Sequence, residues 1–372
     1  MPHIILLGTL DTKRAEILYL YTELQQNATC FSKPLQITLI DCGRLAIADD
    51  AITISHTDLL AKYASGDSTE ILTLPRGQVI ELLISCVSRR VADLLRTTDI
   101  HGIIGAGGSG GTSLISAVMR TAAPIGLPKL IVSTVASGNT GPVVGECDIT
   151  LMYSVVDIAG INRLLREVLG NAAGAMFGMA STYQHRLNES RTLKVYVFHT
   201  TGHGGKAMER LVEEGRLDAI LDITATEICD LIAGGTMRCE FSRLETTLNR
   251  GIPNIISVGA TDMINFGPVD TIPHQFPECR EVGGFILDKL GRFTQASGMV
   301  EVWLPGGVSS IGIIGSAFTD ADADTALADT LRSGLKDGKI RVVSDERDIN
   351  DDGFALDIAD RLMALVAKHS SS

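Results

Sequence analysis

Short apolar runs recur along the chain, each followed by a turn rich in glycine or hydroxyl residues and then by an amphipathic stretch. Ile4–Leu7 is the first run. The turn Gly8-Thr9-Leu10-Asp11-Thr12 follows, and Lys13–Gln26 then places Ile17, Leu18, Leu20, Tyr21 and Leu24 at helical spacing. The same alternation predicts strands at Ile37–Ile40, Gly102–Ile104, Leu130–Ser133 and Ile149–Met152. It predicts helices over Gly77–Leu95, 113–121 and 158–180. Residues 49–70 are polar and mixed, and predict short helices with a loop.

Tyr183–Thr192 is the most polar stretch between apolar elements, and the pattern restarts beyond it. Strands are predicted at Lys194–Phe198, Ala219–Ile223, Ile255–Val258, Val300–Leu304 and 340–343. Helices are predicted over Ala207–Glu214, 225–233, Val282–Gln295, 322–335 and 353–367. Apolar strands of four to six residues alternating with helices mark parallel βαβ units, with helices on both faces of the sheet. The expected fold is α/β, with two Rossmann-like, doubly wound parallel-sheet lobes. Residues 1–184 form the N-terminal, nucleotide- or phosphate-binding lobe and 185–372 the C-terminal lobe. A length of 372 residues agrees, since single cores stop growing near ~250–300 residues.

Composition narrows the function classes. The net charge is −12 and no long Lys/Arg run occurs, so no nucleic-acid partner is expected. An acidic chain still binds phosphate through backbone N–H groups and one or two local cations. No apolar stretch reaches the ~20 residues of a membrane span, and no basic leader precedes Ile4–Leu7. The expected location is cytoplasmic. The seven scattered cysteines form no CxxC pair and read as reduced, mostly buried thiols.

In a doubly wound sheet, ligands sit beyond the carboxyl ends of the strands, where the unusual turns of this chain fall. Gly105-Ala106-Gly107-Gly108-Ser109-Gly110-Gly111-Thr112 is the strongest of them. Gly105, Gly107 and Gly110 satisfy GxGxxG directly after a strand and before a helix. Glycines admit a phosphate close to the backbone, and Ser109 and Thr112 add hydroxyl donors; a glycine-rich packing turn is the alternative. The shelf Ser133–Thr140, with Ser133, Ser137, Gly138, Asn139 and Thr140, offers further donors, or is an ordinary capped turn. In Gly8–Lys13, Asp11 suits a hydroxyl or a metal, Thr9 and Thr12 suit phosphate, and Lys13 would neutralise it. Helix capping by Asp11 or Thr12 explains the same residues. Asp41 ends the second strand, where a ribose-binding carboxylate often sits, but it precedes the glycine turn, which argues against a plain NAD-dependent dehydrogenase.

The second half carries His199-Thr200-Thr201-Gly202-His203-Gly204-Gly205-Lys206, a phosphate-like turn that lacks the Walker A spacing. His199 and His203 are candidates to face a substrate, as is Asp262 in Gly259–Gly267. Asn265 shares that segment. Glu227, just inside a predicted helix, is a further candidate that helix capping explains as well. Nothing marks a nucleophilic triad, and no HExxH pair occurs.

Six of these segments, in order, resemble the signatures of the UPF0261 family of Tm-1-like ATP-binding proteins: Gly8–Lys13, Gly105–Thr112, Ser133–Gly141, His199–Glu209, Gly259–Gly267 and Ile349-Asn350-Asp351. The resemblance runs along nearly the whole chain. It implies two Rossmann-like subdomains, ATP as ligand and a homodimer; Mg is a further expectation, as a companion ion of the nucleotide. It also implies a protein partner, or a TIM-barrel domain fused to the same module. Family members carry a longer segment after the second-half Asp-Met-Val-Asn-Phe-Gly motif. Here Pro277-Glu278-Cys279-Arg280 runs almost directly into the next helix, which implies that the second lobe has lost part of its site. Three functions follow as expectations. One is a nucleotide-binding protein with phosphate on the first-lobe turns. Another is an enzyme acting on a phosphorylated or organic-acid small molecule in a cleft between the lobes. The third is a non-catalytic interaction module with nucleotide as regulator.

Overall fold

The computed structural model describes residues 1–64, 74–187, 193–198, 203–261, 263–265, 271–273, 276–292, 298–308 and 320–370. The chain divides into two compact units, Met1–Ser190 and Arg191–Ser372.

The first unit begins with β1 (His3–Gly8), α1 (Leu10–Cys30) and β2 (Gln36–Asp41). It continues with α2 (His56–Tyr63), α3 (Arg76–Thr97), β3 (Gly102–Gly107), α4 (Ser109–Ala122) and β4 (Lys129–Ser133). The short α5 (Gly141–Val144), β5 (Ile149–Tyr153) and α6 (Arg163–Leu187) complete it. All strands are parallel, in the order β2-β1-β3-β4-β5. The chain adds β2 on one side of β1 and β3 on the other, so the crossovers reverse between β1 and β3 and open a crevice there. Alternation along β1 explains the layers. Ile4 and Leu6 pack with Ile17, Leu20 and Leu24 of α1 and Leu165, Leu169 and Met176 of α6. Ile5 and Leu7 pack with Leu83, Val87 and Val91 of α3 and Leu114, Ile115 and Val118 of α4. Each face therefore carries helices, as side-chain period 2 in a doubly covered sheet requires.

The second unit contains β6 (Val195–Phe198), α7 (His203–Glu213), β7 (Ala219–Thr224), α8 (Thr226–Ala233), α9 (Glu245–Arg250) and β8 (Asn254–Gly259). The antiparallel pair β9 (Met263–Asn265) and β10 (Thr271–Pro273) follows. Then come α10 (Phe276–Arg292), β11 (Val300–Leu304), α11 (Ala321–Gly334), β12 (Arg341–Ser344) and α12 (Asp352–Ser370). The five-stranded sheet is parallel, in the order β12-β11-β8-β7-β6. This order simply follows the sequence, so this sheet has no reversal point like that of the first. Ile256, Val258, Val300 and Val302 pack with α8, α10 and α11 on one face. Ala219, Leu221, Ile255 and Trp303 pack with Phe354, Ile358 and Leu362 of α12 on the other. Buried Glu301 fastens α12 by accepting from Arg361 Nε (2.9 Å) and from Trp303 Nε1 (3.1 Å).

Both units are α/β, as the sequence pattern predicts, but several helices begin earlier than their apolar periodicity does. α1 starts at Leu10, not Lys13, α4 at Ser109, not 113, and α7 at His203, not 207. Glycine, hydroxyl and acidic residues read as turn, yet they occupy first helical turns, where polar side chains and free N–H groups are at home. In the other direction, α6 starts at Arg163 rather than 158. Asn162 marks that start by accepting the Leu165 N–H at 2.9 Å.

Candidate functional site

Three strand ends of the first lobe converge on one cleft of about 520 Å³. It lies at the carboxyl ends of β1, β2 and β3, at the reversal point of the sheet. Thr9, Asp11, Thr12 and Lys13 line it from the start of α1, and Gly108, Ser109, Gly110 and Gly111 from the start of α4. Cys42 and Arg44 line it from the loop after β2, and Val79, Ile80, Leu83 and Leu114 form an apolar wall. The volume falls within the ~300–1,000 Å³ of small-molecule sites, and the mix of an apolar wall with a few convergent polar groups is typical of them.

The glycines of the fingerprint have separate tasks. A Cβ at Gly105 would stand 2.8 Å from Ile115 Cδ1 and from the Leu7 carbonyl oxygen. One at Gly107 would stand 2.9 Å from the Gly111 Cα. These two glycines let strand and helix approach each other. Gly108 is different: a Cβ there would meet only Thr134 Oγ1, at 3.8 Å. It is the N-cap of α4, in extended backbone (φ −72°, ψ −166°), and no side chain caps the helix. An N-terminus without a capping side chain leaves N–H groups and a positive dipole end facing the cleft.

The cleft's other wall is fixed by two interlocked carboxylates. Asp41 Oδ1 accepts from the Leu10 N–H (3.2 Å) and the Gly43 N–H (2.9 Å). Asp11 Oδ2 accepts from the Arg44 N–H (2.8 Å) and the Leu45 N–H (3.3 Å). The loop after β2 is thus clamped to the first turn of α1, which sets Arg44 at the rim, where its Nη2 also donates to the Leu74 carbonyl (3.3 Å). Gly43 sits between the clamps: a Cβ there would stand 2.7 Å from Asp11 Oδ1 and 3.0 Å from Asp41 Oδ1. Burial pushes the Asp41 carboxyl above the usual carboxylate range, against the two N–H bonds that hold it down. Burial, with Asp41 beside it, pushes the Cys42 thiol up, so it stays protonated. Asp11 Oδ1 is enclosed and has no hydrogen-bond partner. At Lys13 the backbone leaves helical geometry (φ −132°, ψ 30°), so α1 kinks where it borders the cleft.

Not every residue singled out by the sequence reaches the cleft. Asp41 is fully buried and acts as a clamp rather than a ribose ligand. Thr112 and Ser133 are buried, and their hydroxyls bond each other at 2.8 Å; Ser133 Oγ also accepts the Val135 N–H at 3.1 Å. They join α4 to the end of β4. Ser137, Gly138 and Asn139 are exposed, and neither they nor Thr140 line the cleft. Arg44 and the α3 wall were missed. Their signal is faint, because Arg44 lies in a loop and Val79–Leu83 reads only as a core helix. Gly107-Gly108-Ser109-Gly110-Gly111 also spells GxSxG between strand and helix. Ser109, however, lacks the strained backbone of a nucleophile elbow: among the described residues the non-glycine positions with positive φ are Ser32, Val155, Leu244 and Ala260.

In the second lobe, His199 and Asp262 lie outside the described residues, as do the side chains of His203 and Asn265. What the structure does show there is a buried ion cluster. Arg243 Nη2 donates to both oxygens of Asp222 (2.9 and 2.8 Å), and its Nε donates to Glu227 Oε1 (2.9 Å). Glu227 is fully buried, which answers whether it merely caps α8: it is an ion-pair partner. No group of three His, Cys, Asp or Glu side chains able to hold a metal occurs among the described residues, and the cysteines described are all free. No helix among those residues is long and apolar enough to cross a membrane.

Comparison with known proteins places this geometry in a family. The domain described as "Uncharacterised protein family (UPF0261) N-terminal domain" matches residues 2–185. The corresponding C-terminal domain matches 171–278 and 275–366. Those two stretches meet at the start of α10 (Phe276–Arg292). A UPF0261 protein of Clostridium tetani is 35% identical over 410 residues, covering 98% of this chain and 99% of that protein. A UPF0261 protein of Mesorhizobium japonicum is 33% identical, covering 96% and 98%. The "ToMV susceptible protein tm-1(GCR26)" of Solanum lycopersicum is 33% identical over 99% of this chain, which spans 56% of the tomato protein. Among solved structures, a UDP-N-acetylglucosamine 2-epimerase aligns with a TM-score of 0.22 and 10% identity over 92% of this chain and 99% of that one, a likeness that carries no argument. With both of its domains matched in order and relatives above 30% identity along the full length, the chain belongs to the UPF0261 family.

Proposed function

We propose that the first lobe is a nucleotide-binding module whose ligand is ATP, with the phosphates against the first turn of α4. One observation carries this reading. The helix is capped by a glycine with room for a side chain, and the cleft it faces also holds Lys13, Arg44 and three hydroxyl residues. N–H groups at a helix end, a dipole and nearby cations are the usual means of binding phosphate. The wall of Val79, Ile80, Leu83 and Leu114 suits the face of a base without selecting one base by hydrogen bonds. Asp11 Oδ1, enclosed and unpartnered, is the acceptor available to a Mg²⁺ ion travelling with the phosphates. The residues present therefore fit a magnesium nucleotide.

The test uses the cap itself. Asp is a better N-cap than Gly by a few tenths of a kcal/mol, so Gly108→Asp should leave thermal stability unchanged or raised. It also sets a negative charge where the phosphate would sit. ATP at 100-fold its Kd should add ~2.7 kcal/mol of stability to the wild type and none to Gly108→Asp. ATP shifting both proteins equally would move the ligand elsewhere. The alternative of a small-molecule enzyme with His199, His203 and Asp262 facing substrate rests on side chains outside the described ones, and no observation favours it over binding.

A further inference from the structure

The buried cluster of the second lobe is incompletely paired. Arg243 is 2% exposed and lies against the ring of Phe198, the last residue of β6, with 4.7 Å between guanidinium carbon and ring centre. Two of its nitrogens are used by Asp222 and Glu227, but Nη1 has no partner. Glu227 Oε2, the other oxygen of the carboxylate bonded to Arg243 Nε, has none either. Buried polar groups are nearly always hydrogen-bonded, and a charged one left alone is costly. Here the two partners of one buried ion pair each keep an unpaired polar atom, a donor on Arg243 and an acceptor on Glu227.

The surroundings say what belongs there. The cluster lies at the carboxyl-terminal halves of β6 and β7, where ligands of such sheets sit. The first turn of α7 passes over it at Gly205, where a Cβ would stand 3.4 Å from Arg243 Nε. α8 begins at Thr226, so Glu227 stands in its first turn as well. Two helix N-termini and an arginine favour an oxyanion. The charges beside them do not: Asp222 on β7, Glu227 on α8 and Glu209 on α7 face the single Arg243. We propose that Arg243 and Glu227 form the floor of a second ligand site for a small oxyacid, a phosphate or carboxylate group. It accepts from Arg243 Nη1 and shares one proton with Glu227 Oε2. The proton removes one negative charge and makes the second hydrogen bond, so donors and acceptors balance.

The carboxyl is suited to keep that proton: burial pushes Glu227 up to about 7, although Arg243 opposes it. The other titratable groups facing it do not compete. Asp222 is held by two bonds to Arg243, and burial raises it. Burial also raises Glu209, which accepts the Leu244 N–H and has Glu213 behind it. Burial, with Glu227 beside it, pushes the Cys239 thiol up to about 12. Lys206 and Glu240 form their own ion pair at 2.8 Å.

Calorimetric titration of the whole protein with malonate, ionised over the range used, tests this, with inorganic phosphate as a second arm. Above about pH 7 the wild-type affinity should fall about tenfold per pH unit, because binding requires the proton. Glu227→Gln keeps the shape and donates from its amide, so its affinity for malonate should not change with pH. Phosphate binding alone assigns a phosphoryl ligand and malonate alone a carboxylate ligand; either upholds the site. No binding of either anion at about pH 6.5, or the same pH slope in Glu227→Gln, overturns it. So does a crystal grown with the anion at that pH that shows a lone water at Nη1. The Glu227→Gln comparison reads this lobe alone, so its failure leaves the first-lobe nucleotide reading untouched, and the reverse holds for Gly108→Asp.

Discussion

Gly43 is the residue on which the geometry of the first-lobe cleft turns most tightly. It separates two carboxylates that clamp neighbouring segments, and a single Cβ would overlap one of them. Gly43→Ala should cost about 1–3 kcal/mol of stability by overpacking and weaken ATP binding through displacement of Arg44, measurable by urea unfolding and calorimetry. Gly108→Asp should do the opposite to stability while abolishing binding, so the pair separates a positioning glycine from a ligand-facing one. A different residue effect lies at the amino end of the sheet. The buried His3 N–H donates to His101 Nδ1 at 3.0 Å, and His3 Nε2 meets Thr38 Oγ1 at 2.8 Å. Burial lowers both imidazoles from their ordinary values; the His101 charge lowers His3 further. Neutral rings are favoured in the fold, so their contribution is complete above the unfolded value of ~6.5 and lost as pH falls below it. Urea midpoints should therefore drop between about pH 6.5 and pH 5, and less in His101→Gln.

Among elements, strands were more legible than helix starts. A run such as Ile4–Leu7 has one interpretation, a doubly covered strand. A first turn such as Ser109–Thr112 has none of the apolar spacing that identifies a helix, and its glycines read as loop. The clamp between Asp41 and Leu10 was not legible, because it pairs segments 31 positions apart through a buried carboxylate. The same holds for Arg243, which lies in a turn segment and meets Asp222 and Glu227 only through the fold. Asp222 carried a signal, a charge inside the apolar strand Ala219–Thr224, that only a partner could justify. Element α12 depends on another such charge. Burial works against the Glu301 carboxylate, but bonds from Arg361 and Trp303 win and hold it below its usual range. Glu301→Ala should loosen α12 and cost about 2 kcal/mol, less than a fully buried pair because Arg361 retains solvent contact. Amide exchange along Asp352–Ser370 should rise more than exchange along α10.

For the whole molecule, two lobes of one fold class carry different sites. The first sheet reverses its strand order beside β1, and its cleft opens at that reversal. The second sheet adds strands in sequence order, and its polar centre is a buried ion cluster beside α7. The sequence pattern gave both lobes and the glycine turns of the first. It did not distinguish the two topologies, since strand order depends on which neighbour each strand pairs with, not on its own periodicity. The central claim, phosphate at the start of α4, is tested most directly by amide NMR of the whole protein labelled with ¹⁵N-glycine and titrated with Mg-ATP. The account expects the largest shifts at Gly108, Gly110 and Gly111, with Gly204 and Gly205 unmoved. Saturating ATP that leaves the α4 glycines in place, or that moves only those of α7, would contradict it.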